Sequence, residues 1–66
     1  MIDRPLDLLN ELKGKNVVVY MKDGKEERGK LVTFDIHINI VLETDKVNYF
    51  YKGENIIKVG EKWMNY

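Results

Sequence analysis

The 66-residue chain has no cysteine, no serine, one histidine, one proline and no excess of either charge. Each absence removes a class of protein. Without cysteine there is no disulfide, no thiolate zinc site and no cysteine nucleophile. Without serine, Thr33 and Thr44 are the only aliphatic hydroxyls, so hydrolytic chemistry has a poor choice of nucleophile and no enzyme is expected. Eleven basic residues against eleven acidic ones leave no net charge and a pI near 6.6. The broad positive field of a non-specific duplex binder is therefore missing, and duplex DNA is not an expected partner. The longest uninterrupted apolar run, residues 17–21, is far below the roughly 20 residues of a membrane-crossing helix. Asp3 and Asp7 interrupt the amino terminus where a secretory leader would carry its apolar stretch, so the expected address is cytoplasmic.

What the chain does contain is a globular mixture, 44% hydrophobic and 33% charged, which argues against disorder. A chain this short buries only about 60% of its unfolded surface and needs support, of which oligomerisation remains available. We expect a single domain over residues 1–66, with a helix over about 3–13, a five-stranded barrel over about 16–59 and a tail over 60–66.

Ile2, Leu6, Leu9 and Leu12 recur at helical spacing, with Asp3 as the expected N-cap, Pro5 in the first turn and Gly14 as the stop. From Lys15 the period becomes two. Val17, Val19 and Met21 share one face, and Asp23-Gly24 signals a hairpin. A second strand runs from Lys25 to about Phe34, with Gly29 marking a bend or a close approach of backbone. Leu31 and Phe34 both read as buried although three apart, which predicts a bulge or strand end near residues 33–35. The alternation of Ile36, Ile38, Ile40 and Leu42 predicts a third strand over residues 36–43. A fourth follows from Val47 to Lys52 and a fifth over residues 55–59. The fold class is mostly β: a short N-terminal helix and a strongly bent, antiparallel, five-stranded SH3-like or OB-type barrel.

Asp35, His37 and Asn39 alternate with apolar neighbours and in extended chain would point the same way. Several roles compete for them. A metal site would rest on His37 and Asp35 with no second histidine, so no cofactor or metal is expected. Acid–base catalysis lacks a nucleophile. A purely structural role, with Asp35 and Asn39 bonded to backbone and His37 exposed, accounts for the same pattern. So does base recognition: an amide held by a carboxylate can donate to uracil O4 and accept from N3–H, beside a flat imidazole. Stacking on a base is worth about 1–3 kcal/mol and needs no large positive field.

The sequence VVVYMKDGKEERGKLVTFDIHIN, preceded by RPLDLLN and followed by YFYKGENIIKV, resembles the Sm and Sm-like (LSm) RNA-binding proteins over nearly its whole length. The resemblance is to the archaeal and eukaryotic type of first motif. It implies a bent barrel with its helix across one end, assembled as a homo-oligomeric ring through the fourth strand (Val47 to Tyr51) and the fifth (Ile56 to Val59) of neighbouring copies. It further implies that His37 stacks on a base, Asn39 reads its edge, Asp35 orients Asn39, and Lys52 with Gly53 completes the site. Lys52 stands where the family pattern has arginine, and lysine lacks a planar guanidinium. Glu54 stands where aspartate is common and adds negative charge beside the site. Tyr49, Phe50 and Tyr51 read as interface and core, and for the tail over Trp63 to Tyr66 packing on the barrel, ring-to-ring contact and simple fraying are all open.

The expected function is thus a ring that binds single-stranded, U-rich RNA in RNA processing or ribonucleoprotein assembly. The alternative is an Sm-fold scaffold or protein-interaction ring with little RNA affinity, which zero net charge and Lys52 favour.

Overall fold

The structure, a computed structural model, describes residues 2–62. Helix α1 spans Pro5–Leu12. Its N-cap is Arg4, in extended conformation, and not Asp3. Asp7 accounts for the shift: its Oδ2 accepts the Arg4 backbone N–H at 3.1 Å and its Oδ1 accepts the guanidinium at 3.3 Å. A carboxylate at the third helical position thereby fixes where the helix begins. Ile2 precedes that point and is exposed, so it does not join the leucine stripe. Beyond the helix Gly14 takes φ +86° and donates its N–H to Leu31 O at 2.8 Å, while Leu31 N–H donates to Lys15 O at 2.9 Å. These bonds lay the helix on the sheet and bury Leu9 and Leu12. At about 1.5–3 kcal/mol per buried leucine, this contact stabilises a helix too short to persist alone.

The strands are β1 (Asn16–Met21), β2 (Glu26–Phe34), β3 (Ile40–Thr44), β4 (Val47–Tyr51) and β5 (Ile56–Glu61), with a 3-10 turn at Gly53–Asn55 before β5. Neighbouring strands are all antiparallel, in the order β4-β3-β2-β1-β5. The fold is therefore the expected N-terminal helix on a bent five-stranded antiparallel sheet. Val17, Val19, Leu31, Ile40 and Leu42 are fully buried beneath α1. Gly29 marks the close approach, where a Cβ would stand 2.5 Å from Thr44 Oγ1 and 2.8 Å from Glu43 O. Thr44 Oγ1 uses that space to donate to Arg28 O at 2.7 Å. The predicted bulge is present as well. Register steps from Leu31↔Leu42 to Thr33↔Val41, leaving Val32 as the extra residue and letting Phe34 pack on the core.

The third strand is shorter than its alternation predicts. It begins at Ile40, and residues 35–39 form a turn in which Ile38 N–H donates to Asp35 O at 3.0 Å. Ile36 does not share the buried face of Ile40 and Leu42; it is 74% exposed at the turn's tip. The β3–β4 hairpin turns through Asp45 and Lys46, both at positive φ (53° and 67°), the geometry of a type I′ connection made without glycine.

Strands β4 and β5 are the two edges of the sheet. Along β4, Val47, Tyr49 and Tyr51 face Thr44, Leu42 and Ile40 and so lie on the core side. Tyr51 packs on the core and donates its hydroxyl to Glu27 Oε1 at 3.3 Å. Burial, and then the Glu27 charge, raise its pKa above the usual phenol value. Val47 and Tyr49 on the same side remain exposed, as does Phe50 on the other face. The expectation for the tail over Trp63 to Tyr66 lies outside the described residues.

Candidate nucleic-acid interface

The turn at residues 35–39 is built around one carboxylate. Asp35 Oδ1 accepts the backbone N–H of His37 at 2.9 Å and of Asn39 at 3.1 Å, and Oδ2 accepts Asn39 Nδ2 at 3.1 Å. The backbone closes the same loop from below, Asp35 N–H donating to Asn39 O at 3.1 Å. These bonds hold Asp35 below the usual carboxylate pKa, the Asn39 amide contributing most, with partial desolvation opposing and the two backbone N–H groups and the nearby His37 adding to the lowering. They also hold Ile38 at φ +62°. A β-branched residue in that region is strained, at a cost of order 1–3 kcal/mol, and such strain persists only where neighbouring bonds over-determine it.

Asn39 links this turn to the second one. Its Oδ1 accepts the Gly53 N–H at 2.8 Å. Carboxylate oxygens only accept and a backbone N–H only donates, so the amide's orientation is unambiguous: nitrogen toward Asp35, oxygen toward Gly53. One N–H and one lone pair of Asn39 are left over. Gly53 has to be glycine here, because a Cβ would run into His37 O and stand 2.8 Å from Ile38 C.

His37 is exposed, beside Asn39. It lines an open groove of about 690 Å³ with Asn39, Lys52, Gly53 and Glu54, walled by Pro5 and Leu8 of α1 and by residues 56–59 of β5. The structure thus brings together four of the five residues singled out from the sequence around this groove, with Asp35 bonded behind Asn39. They do not meet on a strand, as their alternation predicted; they meet because Asp35 curls its own turn. Lys52 Nζ is engaged with Glu54 Oε2 at 3.3 Å. Sequence reasoning noted the charge of Glu54 but not this pairing, and it missed the strained Ile38 and the helical wall, for which no local signal exists. Among the described residues no three His, Cys, Asp or Glu side chains gather to hold a metal, and no helix is long and apolar enough to cross a membrane.

A short N-terminal helix on a bent, antiparallel five-stranded sheet defines a class of small β proteins. The chain belongs to the LSM domain family, whose profile matches residues 7–61. It is 41% identical over 61 residues to an Sm-like protein of Thermococcus kodakarensis, covering 92% of this chain and 78% of that one. Among solved structures it is similar to the Pyrococcus abyssii Sm protein in complex with a uridine heptamer (TM-score 0.82, 31% identity, 91% of this chain and 100% of that one). It is also similar to a heptameric archaeal Sm protein (TM-score 0.71, 32% identity, 85% and 97% covered). The family is one of RNA-binding proteins without enzymatic activity.

Proposed function

We propose that the chain, as a single Sm-like domain over residues 1–66 in the cytoplasm, forms a closed homo-oligomeric ring and binds single-stranded, U-rich RNA during RNA processing or ribonucleoprotein assembly. The observation that carries the RNA reading is the Asn39 amide, fixed at both ends by Asp35 and Gly53 with a donor and an acceptor unused. That pair is complementary to O4 and N3–H of uracil. The exposed His37 ring supplies a stacking face worth about 1–3 kcal/mol per base. Lys52 and Gly53 close the far side. The similarity to a protein whose structure is in complex with a uridine heptamer supports the same reading.

Ring formation rests on the edges of the sheet. Val47 and Tyr49 lie on the core side of β4 and stay exposed among the described residues, and an apolar edge strand is aggregation-prone unless it is paired. Pairing β4 of one copy with β5 of the next, repeated head to tail, covers every edge once the rotation closes. A ring then presents the same weak site several times to one RNA strand, so modest affinity per base multiplies. Similarity to a heptameric relative supports a closed ring.

The test is titration of labelled oligouridine and oligoadenine with the wild type and Asn39→Ala, alongside native mass spectrometry. We expect uridine-selective binding that Asn39→Ala weakens about tenfold or more, ~1.4 kcal/mol. Equal, negligible binding of both RNAs by both proteins would leave the scaffold reading, which the Lys52–Glu54 pairing favours.

A further inference from the structure

Lys52 and Glu54 flank the glycine that anchors Asn39, and both line the groove. Their charged ends are 3.3 Å apart, with the side chains 61% and 69% exposed. The turn is closed independently of this pair by Asn55 N–H donating to Lys52 O at 3.0 Å, so the backbone keeps the two residues adjacent whether or not a ligand is present. Lys58 is the other lysine lining the groove, and its Nζ lies 4.7 Å from the centroid of the Tyr20 ring. A strand of RNA entering the groove therefore meets a lysine whose charge is already answered from within the turn.

We propose that Glu54 is a built-in competitor for Lys52, so that a nucleotide gains the lysine only by displacing the carboxylate, and that Glu54 thereby sets how tightly each site holds RNA. The inference rests on the RNA-binding reading above. Exposed ion pairs of this kind are weak, which makes the competition adjustable: it lowers affinity by about threefold per site and does not abolish it. Because a strand occupying several copies meets the competitor at each, the factors multiply along the RNA. Competition also alters the response to salt. Added salt screens the internal pair and the phosphate contact together, so the wild type has a shallow salt dependence, and removing Glu54 restores the steeper slope of an uncompensated lysine.

The experiment is a double-mutant cycle on the full chain, read as polarisation of a labelled uridine heptamer with wild type, Glu54→Gln, Lys52→Ala and the double variant at several KCl concentrations. Glu11→Gln, an exposed helix position away from the groove, controls for one unit of charge and is expected to leave affinity unchanged. Glu54→Gln is expected to tighten heptamer binding by about threefold for each site the strand occupies and to steepen the salt slope. Lys52→Ala is expected to cost less than about twofold in the wild type and several-fold in the Glu54→Gln background. The proposal is overturned if Glu54→Gln binds no tighter than wild type, or if Lys52→Ala costs the same factor in both backgrounds, which would reduce Glu54 to general repulsion. Binding by Glu54→Gln where the wild type shows none supports it most strongly. If no variant binds any oligouridine, the RNA reading itself fails, a result distinct from wild-type binding that Glu54→Gln does not improve.

Discussion

Residues 35–39 and residues 52–55 meet at one groove, the first segment tied by side-chain bonds and the second closed by a single backbone bond from Asn55 N–H to Lys52 O. In the first a carboxylate accepts three N–H groups and holds even a β-branched residue at positive φ. The second segment is docked to the first by the Gly53 N–H, and its two charges are directed at one another in solvent. The first segment sets orientation and the second sets charge. Asp35, His37 and Asn39, which match the Sm pattern, occupy the first half; in the second, Gly53 matches and the two departures, Lys52 and Glu54, flank it.

The largest effect is expected where the two segments join. Gly53→Ala places a methyl against His37 O and is expected to separate them, lowering uridine-heptamer affinity more than tenfold, ~1.4 kcal/mol or more, while circular dichroism still reports the folded sheet. Asn39→Asp comes next. It removes the donor to Asp35 and sets a second carboxylate beside the first, so thermal denaturation should show a loss of roughly 1–3 kcal/mol at pH 7, partly relieved by acid.

A subtler probe is Asp35 itself. Its carboxyl should titrate below 3.8 in an NMR pH series and move back upward in Asn39→Ala, because the Asn39 amide is the largest cause of the lowering. With the folded pKa depressed, the stability it adds is present above the unfolded value and is lost as pH falls through the folded one. The smallest effect is expected from Lys52→Arg, which supplies a stackable plane to the second half and should tighten oligouridine binding about two- to threefold by polarisation.

How much of this was legible in the sequence differs between the same halves. Val17 and Val19 announced a strand face, Gly29 a close approach, and the Leu31–Phe34 spacing a bulge, because each is a local consequence of pleat geometry. The tract from Asp35 to Ile40 misled because a turn held by side-chain bonds carries the same polar–apolar alternation as a strand. Nothing in an isoleucine signals positive φ, so Ile38 was unreadable. Gly53, Asn39 and Asp35 were legible as a set only through the family resemblance, since 14 residues separate Gly53 from Asn39. The ion pair of Lys52 with Glu54 is local, yet whether two exposed side chains meet is a matter of rotamers that no spacing rule decides. The cap at Arg4 in place of Asp3 turned on Asp7, a competition between two carboxylates for one helix start.

The sheet order also gives each copy two unlike ends, β4 and β5. For assembly through those ends, a copy with a damaged β4 and a sound β5 is a chain terminator: it joins a growing arc at one side and offers nothing at the other. A minority of such subunits, co-expressed with the normal chain, would poison many rings, as a single faulty link opens a necklace.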